Sequence, residues 1–295
     1  MRCKITNSAQ KCSTIKSPLT FCGKGLHSGL DVVLTLKSAK CGEGIVFVRT
    51  DVSAEKNNKI HCNFNNVTDL TFNTTISNAD GISVSTVEHL LAALWSAQIS
   101  DCLIEINNQE APIMDGSSLI FLNGLKTAAT TIFDASFDAP MPLATIEAEV
   151  FVSEKDSSIT ALPPLYQGQL LIDFEIDFKC KQVGAQRFVF EPSMGDSFGS
   201  EIAHAKTFAL KKDYDYLRSI GYAKGGEENN GILLETEKIF NPQYLTYAND
   251  FVRHKILDLL GDFYTSGHLF SGRFICKKSG HKLTNTFLKT LFNTN

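Results

Sequence analysis

At 295 residues, with 43% hydrophobic and 20% charged side chains, the chain has the make-up of a folded protein with room for one large domain or two ordinary ones. Thirty-two acidic against 28 basic residues leave a formal charge of −4, and no basic stretch offers a nucleic acid a footprint. The longest apolar runs, such as Leu90 to Trp95, fall far short of the ~20 residues that span a bilayer, so no stable membrane insertion is expected.

Short strands are predicted over 13–36, around the glycine-rich turn Gly23-Lys24-Gly25-Leu26-His27-Ser28-Gly29, with near alternation of apolar residues over 30–36. Further strands are predicted at 44–50 and near 73–76. The first helix is predicted to begin at Ser85, a suitable N-cap, because Val87, Leu90, Leu91 and Leu94 recur at helical spacing. A strand over 102–106 and a turn over 112–118 lead into a second apolar helix. Two prolines within 138–143 mark a predicted boundary between domains at 1–138 and 144–295. The second half repeats the theme, with strands at 145–152, 158–162, 170–178 and 187–190. Helices follow at 200–207, 212–219 and 250–267, then a strand at 273–277 and a last helix from 281 to 292. Two comparable halves imply an α+β fold of two similar domains, each a small mixed or antiparallel sheet layered with helices, with the active site at their interface.

Chemistry concentrates in three places. In Phe251-Val252-Arg253-His254-Lys255-Ile256-Leu257-Asp258-Leu259-Leu260-Gly261-Asp262, the residues His254, Asp258 and Asp262 step by four. Each lies about 40° round the helix from the last, so all three share a face. An imidazole and a carboxylate so placed can reach one metal ion, although a solvated polar pair has the same spacing. In Ser85-Thr86-Val87-Glu88-His89, a metal ligand beside a proton acceptor suits a metallohydrolase, but Ser85 and Glu88 equally fit a capping box. In Lys278-Ser279-Gly280-His281, a histidine at a helix start could serve as an imidazolium. P-loop and H-E-x-x-H motifs are absent. None of the eight cysteines falls in a C-x-x-C pair, and the polar N-terminus lacks the apolar stretch of a secretory signal. Free thiols and a cytoplasmic location are therefore expected.

Taken in order, these segments resemble the UDP-3-O-acyl-N-acetylglucosamine deacetylase family of lipid A biosynthesis. The matching strings are Gly23 to Gly29, Ser85 to Leu90, Pro112 to Ser117, Ala205 to Phe208, Phe251 to Lys255 with Asp258 and Gly261-Asp262, and Lys278 to His281. They spread over about 15–292 of the chain. The resemblance implies a zinc cofactor (Zn2+) held by His89, His254 and Asp258. It makes Glu88 the general base that activates water and His281 the cation that gives a proton to the departing amine, oriented by Asp262. Thr207 would polarise the amide carbonyl, Lys255 would meet the sugar or phosphate, and Phe178 the nucleotide; His27 is a further candidate at the substrate site. The implied substrate is a UDP-linked acyl amino sugar, the implied reaction hydrolysis of its N-acetyl group, and the implied state a monomer. The chain departs from the family pattern at Lys206, Ala209-Leu210 and Glu227-Glu228, close to where the family binds substrate. Two other readings stand beside this one: a zinc amidase acting on a different acylated amino sugar, and a metal-free binding protein of the same fold.

Overall fold

A computed structural model describes residues 2–53, 55–131, 140–192 and 196–292. The smaller of its two largest sheets has five strands in the order Leu19–Lys24, Asp31–Ser38, Cys102–Ile106, Ile45–Arg49 and Lys59–His61. Along Asp31–Ser38 the residues Val32, Leu34 and Leu36 are buried and their neighbours are more exposed, which is the period of two that packs one face on a core. The larger, seven-stranded sheet is built round Leu269–Lys277. That strand pairs in parallel with Pro140–Ile146 and Leu170–Asp177, and antiparallel with Ser157–Leu162. Ala185–Phe190 and Val150–Glu154 extend this sheet, and Cys3–Lys11, from the start of the chain, joins it by pairing with Pro140–Ile146. Both sheets and the helices share one continuous apolar core. The architecture is mixed α+β, as expected from the sequence.

Among the described residues six α-helices accompany the sheets: α1 (Glu88–Ser96), α2 (Leu119–Ala128), α3 (Ser197–Glu201), α4 (Lys211–Ser219), α5 (Asp250–Tyr264) and α6 (His281–Phe292). In α1 every residue from Glu88 to Leu94 is buried, as required of a helix covered on all sides. It packs against α5, and α2 packs against α1. Gly261 lets α1 and α5 approach closely, since a Cβ there would lie 2.1 Å from the Glu88 carbonyl oxygen. Among the described residues no helix is long and apolar enough to cross a membrane.

Several expected boundaries move. α1 begins at Glu88, not Ser85: Thr86 is left-handed (φ 57°), and the Ser85 hydroxyl donates to the Gln109 carbonyl, so no capping box forms. The helix expected at 200–207 is the shorter α3. Beyond it the Thr207 amide donates to the Gly116 carbonyl, and Phe208–Leu210 becomes a strand parallel to Ile232–Leu234. The strand expected at 145–152 is two strands, broken where the amides of Glu147 and Ala148 both turn to the Arg2 carbonyl. α5 stops at Tyr264, and the chain reverses through Gly267 (φ 69°). Of the stretch read as a boundary, Pro140 to Leu143 form part of a strand, and 138–139 lie outside the described residues.

Candidate active site

The α1–α5 contact brings together side chains that are 165 or more positions apart in sequence. His89 comes from the first turn of α1, and His254 and Asp258 from successive turns of α5. One ligand atom from each lies within 4.8 Å of the other two. Asp258 Oδ1 is 3.4 Å from His254 Nε2 and 3.9 Å from His89 Nε2, and the two imidazole rings meet edge to face at 5.1 Å. All three residues are buried. The His254 ring is oriented by its Nδ1, 3.1 Å from the Ala205 carbonyl, which leaves Nε2 as the free donor atom. His89 Nδ1 is buried with no hydrogen-bond partner among the described residues, an unsatisfied state that costs about 1–3 kcal/mol unless a partner is supplied. Two imidazoles and one carboxylate, converging without bonding to one another, are a donor set that fits a tetrahedral cation with one place open.

Charge in the cluster follows the same design. Burial, aided by the neighbouring His254, pushes His89 down to about 3, and burial lowers His254 as well, so both rings are neutral and able to ligate. Burial works against ionisation of Asp258, but His254, Lys255 and His281 outweigh it and hold the carboxyl well below the usual range. Lys255 Nζ sits 2.7 Å from Asp258 Oδ2, which leaves Oδ1 facing the imidazoles.

Beside the three ligands lies an acid–base pair. Glu88 is buried and its Oε2 accepts from the Thr74 amide at 3.0 Å; burial raises it to about 7 despite the opposing charge of His281. His281 Nδ1 is 2.8 Å from Asp262 Oδ2, and its Nε2 lies 4.0 Å from Asp258 Oδ2, so the ring presents Nε2 to the cluster. Burial disfavours its charge, yet Asp262, Asp258 and Glu88 together raise it to about 9. Between pH 7 and 9 the site therefore holds an ionised carboxylate and an imidazolium at once, the pairing that proton transfer in two directions requires.

Two residues passed over in the sequence hold this arrangement. Thr74 donates its hydroxyl to Asp262 Oδ1 at 2.5 Å, lies 3.2 Å from His281 Nδ1, and supplies the amide to Glu88. Glu110 accepts from the amides of His27 and Ser28 at 2.8 Å each, and from the Thr86 hydroxyl, fixing the glycine-rich turn against the start of α1. Neither had a spacing that could single it out, because each works across the fold rather than along an element.

The remaining candidates line a cavity of about 720 Å³ next to the cluster: His27, Phe178, Thr207 and Lys255 all face it. Phe208 joins the two regions, since it lines the cavity and packs on the His254 ring at 5.9 Å. The walls include Leu26, Phe72, Leu210, Leu217, Ile232 and Phe240, a mainly apolar surface into which Asp213, Asn230 and Asn241 also reach. Both nitrogens of His27 are buried without partners among the described residues, and its ring lies about 6 Å from those of Phe72 and Tyr222. Ala209, Leu210, Glu227 and Glu228, the departures noted in the sequence, also face this cavity. Lys206 instead turns back, bonding Asp115 Oδ2 at 2.8 Å.

The family model described as UDP-3-O-acyl N-acetylglycosamine deacetylase matches residues 12–293. A UDP-3-O-acyl-N-acetylglucosamine deacetylase of Shewanella violacea is 36% identical over 279 residues, covering 94% of this chain and 88% of that protein. One from Tolumonas auensis is 36% identical over 280 residues, with the same shares covered. A match that runs nearly end to end, through every segment that builds the cluster, places the chain in the UDP-3-O-acyl N-acetylglycosamine deacetylase family.

Proposed function

We propose that the protein is a zinc-dependent, cytoplasmic deacetylase that hydrolyses the N-acetyl group of a UDP-3-O-(3-hydroxyacyl)-N-acetylglucosamine and releases acetate, the committed step of lipid A synthesis. The observation that carries this reading is the convergence of His89, His254 and Asp258, with Glu88 and His281 in opposite charge states beside them. The names of the two relatives supply the substrate. The division into units at 1–138 and 144–295 belongs to the same proposal, with the reacting groups drawn from both.

A zinc ion held by His89, His254 and Asp258 would lower the pKa of water towards ~7 and polarise a carbonyl, which answers the two obstacles to amide hydrolysis. The chain's own groups do the rest. Glu88, as carboxylate, takes the proton of the attacking water. The Thr207 hydroxyl and the His281 cation stabilise negative charge on the former carbonyl oxygen. His281 Nε2 then gives its proton to the departing nitrogen, while Asp262 and Thr74 hold the ring through Nδ1. Lys255 and Phe178 meet the sugar and nucleotide, and His27 lies on the substrate's path. The apolar cavity takes the acyl chain, an occupant suited to its lining.

The test is acetate release from the acyl UDP-sugar with and without a chelator. Release that stops on chelation and returns with added zinc is the expected result; no release from the zinc-loaded protein would overturn the reading. Plain UDP-N-acetylglucosamine in parallel tests the rival of a different acylated sugar, and zinc content of the purified protein tests the rival of a metal-free binder.

A further inference from the structure

A second group of ligand-type side chains lies apart from the cavity and from the acid–base pair. Cys12 follows the strand Cys3–Lys11, Cys41 sits in the turn after Asp31–Ser38, and Asp101 precedes Cys102–Ile106. Their ligand atoms all lie within 4.8 Å of one another. Cys12 and Asp101 are buried, and Cys41 is partly exposed. Nothing in their spacing along the chain marks them, because three separate segments must fold to bring them together.

The surroundings are those of a built site. Asp101 Oδ1 accepts from the Gly44 amide at 2.8 Å and Oδ2 from the Ser100 hydroxyl at 2.6 Å. Such bonds orient a carboxylate and leave each oxygen a lone pair. The three segments are also tied by their backbones: the Asp101 amide donates to the Ser13 carbonyl at 3.1 Å, and the Cys102 amide to the Gly44 carbonyl at 3.0 Å. The Ser13 amide in turn donates to the Ser100 hydroxyl at 2.9 Å. Ligand positions are therefore fixed by main-chain geometry rather than by loose side chains.

We propose that Cys12, Cys41 and Asp101 form a second metal site, selective for thiophilic divalent ions such as Zn2+, which pins the junction after the first strand to the end of the smaller sheet. Two thiolates and a carboxylate suit zinc, with solvent reaching the fourth position past Cys41. Two sulfurs bound at about 2.3 Å to a tetrahedral ion lie about 3.8 Å apart, so closure from the observed separation needs about 1 Å of movement at most. Burial, then the nearby Cys41 and Asp101, push the Cys12 thiol up to about 12, so the group stays protonated until a cation offsets the crowding of acids. Binding one divalent ion releases both thiol protons to solvent, and the bound site carries one net negative charge.

Cobalt(II) distinguishes this site from the histidine-rich one, because only thiolate ligation gives a sulfur-to-cobalt charge-transfer band in the near ultraviolet. The full-length protein, reduced and stripped of metal, is titrated anaerobically with Co2+. The band is expected in the wild type and in His254→Ala, and its loss in both Cys12→Ser and Cys41→Ser. Asp101→Asn should weaken cobalt binding at least about tenfold. Absence of the band from the wild type, or its survival in Cys41→Ser, overturns the proposal, as does a Cys12–Cys41 disulfide forming in air from protein that shows no band. Should Cys12→Ser fail to fold, alkylation of the wild type decides the same question. Zn2+ is expected to protect Cys41 while leaving the exposed Cys22 reactive, and equal labelling of Cys41 with and without Zn2+ counts against the site. Deacetylation is not read in any arm, so failure here is separable from failure of the proposed reaction.

Discussion

In the proposed reaction Glu88 and His281 act side by side because the protein gives them opposite problems. Burial pushes a carboxyl towards its neutral form, while the surrounding acids hold an imidazole in its charged form. Glu88 must be ionised to accept a proton, so the rate is expected to rise with pH up to about 7; a divalent cation beside it moves that limb lower. His281 must be protonated to donate, so the rate falls as pH passes about 9. A bell-shaped profile of kcat/KM checks this. Asp262→Asn removes the largest influence raising His281 and is expected to move the alkaline limb down by about one to three pH units, with the acidic limb less affected. Glu88→Ala should keep its zinc and lose about 10²–10⁴-fold in kcat, the usual contribution of a general base, whereas His254→Ala should lose zinc and activity together. Metal analysis beside the kinetics separates the two; an active Glu88→Ala variant would leave Glu88 a structural acid.

At the level of elements, the site depends on how closely α1 and α5 approach. Gly261→Ala drives a methyl group into the Glu88 carbonyl, a backbone atom that cannot rotate away. Such overpacking costs about 1–3 kcal/mol or more. The expected result is a fall of several degrees in Tm together with reduced kcat, since the shift displaces Glu88 and His89 as a unit; unchanged Tm would mean that the helices separate freely. The same contact explains what the sequence could and could not disclose. His254 and Asp258 were legible because a helix carries its own ruler. α6, with its period of buried residues, was placed at both ends for that reason. By spacing alone His89 was visible as a candidate but not as a partner of α5, since helix packing is invisible to spacing; only the family resemblance grouped the three. The capping box at Ser85 was a sound local reading that lost to Thr86 and to the Gln109 carbonyl. Thr74, the residue that joins base and acid, sits beside a short strand with no pattern at all.

For the molecule as a whole, the apolar cavity lies beside the charged cluster, with Phe208 as a wall common to both. In the proposed reaction substrate recognition is divided: the polar groups would meet the sugar, and the cavity would read the acyl chain. Each methylene buried contributes about 0.8 kcal/mol, or roughly a fourfold change in binding. Removing two methylenes from the acyl chain should therefore lower kcat/KM about 15-fold while the chain fits, and lengthening should gain until the far wall is met. Leu210 faces the cavity where the sequence departs from its family, so Leu210→Trp is expected to shorten the preferred chain without altering zinc content. If the Leu210→Trp variant keeps the wild-type order of preference across a series of chain lengths, the acyl group binds elsewhere, and the cavity serves another part of the substrate.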